Sequence, residues 1–129
     1  AAAALQLDLD AQLPPLDADS ARLRLLLRNL IDNALRHGGR EPPPRIATRL
    51  HDGRVRLSVR DHGPGVAAAE LSRLSEAFYR PDAARARSTG GVGLGLHLCR
   101  MVAQAHGGAL HIANAGPGLE VVLSLPQAS

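Results

Sequence analysis

A single domain mixing helices and strands is what this sequence predicts, and three observations predict it. Two segments, one in each half of the chain, carry apolar residues at the three-and-four spacing of an amphipathic helix. Between them two alternating runs flank Asp52-Gly53, a dipeptide favoured in two-residue hairpin turns. Two further alternating runs close the chain around Gly116-Pro117-Gly118. With 129 residues, 45% of them hydrophobic, the chain can bury one core and is too short for two.

Taken in order, residues 5 to 9, LQLDL, alternate as a strand does, and Pro14-Pro15 stops any regular element. Asp17, Asp19 or Ser20 can cap the first helix, whose apolar face is Leu23, Leu26, Leu27, Leu30, Ile31, Ala34 and Leu35 and which the Gly38-Gly39 pair ends. Three prolines, 42 to 44, stiffen the next connection. The hairpin then spans residues 45 to 51 and 54 to 61. Val55, Leu57 and Val59 share one face of its second strand, and Asp61 has the same parity. A buried unpaired carboxylate is costly, so Asp61 must find a donor there or lie just past the strand end. In the turn that follows, His62-Gly63-Pro64-Gly65, two glycines allow the backbone to approach something flat.

Residues 66 to 77 read as short helical pieces. The stretch FYRPDAARARSTGG, residues 78 to 91, is arginine-rich and poor in apolar residues after Tyr79, as expected of an exposed, mobile loop. The second helix follows, with Leu94, Leu98, Met101, Val102 and Ala105 expected on its buried face and Gly107-Gly108 at its end. Strands at about 109 to 113 and 119 to 125 complete the chain.

Two polar features stand out against this frame. Asn29, Asn33 and His37 lie one turn apart on the first helix, and Arg36 joins them on a stripe beside the apolar face. Asparagine costs about half a kcal/mol in a helix interior relative to alanine. A polar edge on a core helix accounts for either asparagine alone, but two a turn apart call for more. The second feature is the run Gly90-Gly91-Val92-Gly93-Leu94-Gly95-Leu96 at the entry to the second helix. Such an entry leaves free backbone N–H groups beside the positive end of the helix dipole, which suits a polyphosphate.

Composition narrows the classes. The lone Cys99 excludes a disulfide framework, and no Cys/His cluster has zinc-site spacing. No apolar run approaches the roughly 20 residues that span a bilayer, and no signal peptide is expected at the start. The formal charge is +3, with every basic residue an arginine and only two aromatic residues, so a stacking platform for nucleic acid is lacking.

An Asn-bearing helix, an Asp-x-Gly-x-Gly turn at residues 61 to 65, a Phe-containing stretch with an Arg, and a GxGxG helix entry follow one another in that order. Together they resemble the ATP-binding catalytic domain of bacterial sensor histidine kinases, a member of the Bergerat fold shared with gyrase, heat-shock chaperones and mismatch-repair ATPases. The resemblance runs from about residue 5 to residue 126. It implies a two-layer α/β (α+β) sandwich, a mixed and largely antiparallel sheet against a layer of helices, with a mobile lid at about 78 to 91.

The resemblance also assigns roles. It puts Asn33 on Mg²⁺ with Asn29 assisting, Arg36 on phosphate, and His37 against adenine where relatives often have Tyr. Asp61 would accept from the adenine amino group, with Gly63 and Gly65 closing the backbone around the base and His62 standing where many relatives have Asn. Phe78 would anchor the lid, whose Arg80, Arg85 or Arg87 would be drawn to the phosphates, Arg80 foremost. Gly91, Val92, Gly93, Leu94, Gly95 and Leu96 would cradle the phosphates, with Gly90 as a hinge and Val92 replacing a frequent Thr.

Hydrolysing relatives carry a Glu general base one turn before the Mg²⁺ asparagine, where this chain has Asn29. An amide cannot take a proton at neutral pH, which favours phosphotransfer to an acceptor over hydrolysis. The family acceptor is a histidine followed by an acid and a later Pro. None of the six histidines has that setting; His51 precedes Asp52 but enters a glycine turn. The expectation is therefore one catalytic domain over 1 to 129, lacking the acceptor-histidine dimerisation domain and unable to phosphorylate itself. Implied partners are that domain, a response regulator, ATP and Mg²⁺, with no nucleic acid. The isolated domain would be a cytoplasmic monomer, and the parent a homodimer anchored in the inner membrane. Competing readings are an anti-sigma-type serine kinase, against which Asn29 speaks, a catalytically silent nucleotide sensor, and a basic nucleic-acid binder.

Overall fold

The computed structural model describes residues 5–13, 16, 18–39, 42–71, 73, 74, 76 and 95–127. Among these residues five strands form one sheet: β1 (Gln6–Asp8), β2 (Arg45–His51), β3 (Arg54–Arg60), β4 (Ala109–Asn114) and β5 (Leu119–Pro126). They lie in the order β1-β2-β3-β5-β4. β1 runs parallel to β2, and every other pairing is antiparallel. Among the described residues three helices accompany the sheet: α1 (Ser20–Gly38), the single-turn α2 (Ala68–Leu71) and α3 (Gly95–Ala105).

Local chemistry sets the boundaries. Asp19 caps α1 by accepting the Arg22 N–H at 3.1 Å, and Gly39, at φ +72°, ends it by donating to the Leu35 carbonyl at 3.0 Å. The hairpin turn has positive φ at both Asp52 (53°) and Gly53 (74°), the signature of a type I′ turn matched to the strand twist. Its register puts Ile46 opposite Val59, and Val59 opposite Val121 in β5.

One face of the sheet carries the core. Val55, Val59, Leu119, Val121, Leu123 and Leu125 are buried on it, and α1 lays Leu26, Leu30 and Ala34 against them. Full burial of a leucine contributes about 2 kcal/mol, so Leu26 and Leu30 fix α1 to the sheet. Both long helices pack into this one cluster, giving two layers.

The buried face of α3 matches the one its hydrophobicity predicts only at Val102, which packs half-buried against the core. Cys99 and Ala103 are fully buried, while Leu98 (44%) and Met101 (53%) are exposed and Ala105 also faces out. Small side chains let α3 approach α1 closely enough for the Cys99 Sγ to reach the Leu26 carbonyl at 3.6 Å. Burial pushes the Cys99 thiol up to about 12. At the far end of the pair, the Asp19 N–H donates to His106 Nε2 at 3.0 Å while His106 Nδ1 lies 2.8 Å from the Val102 carbonyl. A neutral ring protonated at Nδ1 satisfies both contacts and ties the start of α1 to the end of α3.

Candidate functional site

The end of α1, the end of β3 and the turn before β5 meet at Asp61. The side chain lies one residue beyond β3 yet keeps the inward parity of Val55 and Val59, and is 2% exposed. Two backbone donors answer the burial cost: Oδ1 accepts from the N–H groups of Gly63 and Leu119, each at 3.0 Å. Among the described residues Oδ2 takes no protein hydrogen bond.

Three close approaches around Asp61 require glycine. A Cβ on Gly38, the last residue of α1, would lie 2.5 Å from the Asp61 Cβ. One on Gly63 would collide with the His37 carbonyl, and one on Gly118, at φ +96°, with the Asp61 carbonyl. The last turn of α1 therefore rests directly on the 61-to-65 turn. Gly65, at φ +73°, leaves room for Asn114, whose amide accepts from the Val66 N–H at 3.0 Å and donates to the Val66 carbonyl at 2.7 Å. That side chain acts as a short length of strand, splicing the turn to the end of β4.

The expected polar stripe of α1 runs up to this junction. Asn33 stands one turn, about 6 Å along the axis, before His37. Asn29 and Asn33 are half-buried, and Arg36 and His37 are exposed in the last turn. Among the described residues neither asparagine amide makes a hydrogen bond to protein. Gly95 and Leu96 open α3, Gly95 exposed and Leu96 half-buried against the core. The remaining expected positions, Phe78, Arg80, Arg85, Arg87, Gly90, Gly91, Val92, Gly93 and Leu94, lie outside the described residues.

A groove of about 260 Å³ lies on the other flank of α1, lined by Arg24, Leu27, Arg28, Ile31 and Asp32. It shares no residue with the Asn29-Asn33 stripe and lies apart from the candidate site. Among the described residues no three His, Cys, Asp or Glu side chains cluster as a metal cage. A divalent ion here would depend on amide oxygens and on a ligand's own oxygens.

Residues 18–129 match the family model described as histidine kinase-, DNA gyrase B- and HSP90-like ATPase. The chain belongs to this family. Among curated relatives, the sensor histidine kinase YkoH of Bacillus subtilis (strain 168) is 39% identical over 111 residues, covering 85% of this chain and 24% of that protein. The signal transduction histidine-protein kinase BaeS of Escherichia coli (strain K12) is 38% identical over 110 residues, covering 84% of this chain and 23% of BaeS. This chain thus spans about a quarter of these kinases.

Of solved structures, full-length ShkA in complex with AMPPNP superposes with a TM-score of 0.81 at 34% identity, over 97% of this chain and 26% of that one. The mycobacterial sensor histidine kinase MprB gives 0.74 at 30%, over 95% of this chain and 83% of that one. The histidine kinase ATPase sandwich expected from the motifs, a mixed and largely antiparallel sheet under a helical layer, is the fold observed.

Sequence reasoning missed Gly118, Leu119 and Asn114, which hold the Asp61 turn in place. The Gly116-Pro117-Gly118 run was visible as a turn, but nothing local linked it to a carboxylate more than fifty residues earlier.

Proposed function

We propose that this domain binds Mg-ATP and donates the γ-phosphoryl group to a histidine on a separate dimerisation domain, as the catalytic module of a two-component sensor histidine kinase. One observation carries the reading: Asp61 is buried with Oδ1 committed to backbone donors, which leaves Oδ2 as an acceptor for the amino group of adenine. The glycines at 63 and 65 would let the base lie along the turn. Asn33, with Asn29, would offer neutral oxygens to Mg²⁺, which when bound offsets the charge of the triphosphate. Arg36 would meet phosphate and His37 would flank the base. Phe78 and Arg80 in the lid, and the Gly91-to-Leu96 helix entry, would close over the phosphates.

The AMPPNP bound by ShkA and the kinase names of YkoH and BaeS support this assignment. In the transfer, the bond from the γ-phosphorus to the bridging oxygen breaks, a bond to the acceptor imidazole nitrogen forms, the imidazole gives up its proton and ADP leaves. The protein's part is positioning and charge neutralisation, because Asn29 in place of a carboxylate base disfavours activation of water.

The experiment is calorimetric titration with ATP, with and without Mg²⁺, followed by addition of the parent protein's helical hairpin and γ-labelled ATP. Tighter binding with Mg²⁺ and label on the hairpin histidine are expected. Binding without transfer would turn the reading into a regulatory nucleotide module, and absence of binding would overturn it.

A further inference from the structure

The sheet face turned away from the helices is a charged plane. Ladder register sets Arg45 opposite Arg60, Arg49 opposite Arg56 and His51 opposite Arg54 on this side of β2 and β3. Like charges placed directly across a ladder are destabilising, so stacking them on neighbouring strands calls for a counter-charge. The face supplies two carboxylates, Asp8 on β1 and Glu120 opposite Arg60 on β5, against five guanidiniums. Its excess of three equals the formal +3 of the whole chain, whose other ten arginines are matched by ten other acids.

Little of this charge is cancelled internally. Asp8 bridges Arg45 and Arg49. Arg54 donates to the Ser124 hydroxyl at 2.8 Å and the Gly107 carbonyl at 3.3 Å, and Arg60 to the Pro117 carbonyl at 3.0 Å, acceptors that carry no charge. Arg56 is exposed and, among the described residues, has no partner.

We propose that this open sheet face docks an acidic, extended segment of a protein partner. Asp8 is the internal precedent: a carboxylate on a strand laid along β2 is held by two guanidiniums at once. An extended partner repeats its same-side residues about every 6.6 to 6.8 Å, the interval between alternate residues along β2 and β3. A membrane surface fits less well, because alanines, serines and the half-buried Val122 offer nothing to insert among acyl chains. Nucleic acid fits less well too, since no Phe, Tyr or Trp stands on the face and two carboxylates sit among the arginines. The proposal does not rest on nucleotide binding, which belongs to the helical side.

The test is fluorescence anisotropy of a labelled oligoglutamate peptide with the 129-residue protein, beside a DNA duplex and phosphatidylserine vesicles. The face variant Arg49→Gln/Arg56→Gln is compared with Arg24→Gln/Arg28→Gln, the same charge change on exposed positions of α1. About tenfold weaker peptide binding is expected for the face variant and less than about twofold for the α1 variant. Arg56→Glu alone, at a side chain with no hydrogen bond or ion pair among the described residues, should weaken binding without lowering the melting temperature, since it faces Arg49 across the ladder. Equal losses in the two double variants, or tighter binding to duplex or vesicles than to peptide, would overturn the proposal. ATP affinity should be unchanged throughout, which separates this outcome from failure of the nucleotide site.

Discussion

Asp61 and Leu119 are joined twice: the Asp61 N–H donates to the Leu119 carbonyl at 3.0 Å, and the Leu119 N–H donates to Asp61 Oδ1 at 3.0 Å. One residue past β3 and the first residue of β5 are thereby closed into a ring. The carboxylate is a structural element before any ligand arrives, with Oδ1 held by the fold and Oδ2 left over for the proposed ligand.

That division predicts the behaviour of Asp61→Asn. The amide oxygen can keep both backbone donors, so the melting temperature should fall only modestly. Its nitrogen would replace Oδ2 and meet the adenine amino group donor to donor, costing about 2 kcal/mol or more in binding. Calorimetry with ATP should register this loss, and a much smaller one for Arg87→Ala; equal losses would count against the pocket as drawn.

Gly118→Ala should harm stability directly. The new Cβ would collide with the Asp61 carbonyl, and φ +96° is strained for any residue with a side chain. A loss of about 2 kcal/mol or more is expected in urea denaturation.

Asn33→Ala should separate stability from chemistry. Because the amide makes no protein hydrogen bond among the described residues, alanine should raise helix stability by about half a kcal/mol. The Mg²⁺-dependent part of ATP binding should disappear at the same time. A variant that is less stable yet keeps the Mg²⁺ effect would remove Asn33 from the metal.

Cys99 should be inert in the native protein. It is fully buried and its thiol is pushed up to about 12, so almost no thiolate forms near neutrality. Reaction with an aromatic disulfide reagent should proceed at the rate of unfolding and accelerate in urea.

Asp8 sets an acid-side dependence. Hydrogen bonding and charge from Arg49, with further help from Arg45, hold its carboxyl below the usual carboxylate value despite the opposing effect of burial. A depressed folded value means the stabilisation is present above the unfolded value, about 3.9, and fades as pH falls through the folded one. The stability gap between wild type and Asp8→Asn should therefore be full at neutral pH and shrink on acidification below that range. A gap that widens in acid would refute the pairing.

How much of this was legible beforehand depends on the range of the contact involved. Period-two alternation through Val55, Leu57 and Val59 was enough to point Asp61 inward, and Asp52-Gly53 fixed the hairpin, because both signals are local. On α3 hydrophobicity points rightly to Val102 but wrongly to Leu98 and Met101, because close packing on α1 selects the small Cys99 and Ala103. Gly118 and Asn114 were opaque for a related reason, since their significance exists only once β5 and β4 lie beside the turn.

The double tie of Asp61 to Leu119 bears on how descendants of such a domain would decay. A lineage released from selection for nucleotides could shed the asparagines of α1 at no cost to its architecture, but truncating the acid would strip the Gly63 and Leu119 N–H groups of their acceptor. Retention of an acceptor oxygen here is thus a poor marker of living chemistry among degenerate cousins, and the fate of the amide at position 33 is the better one.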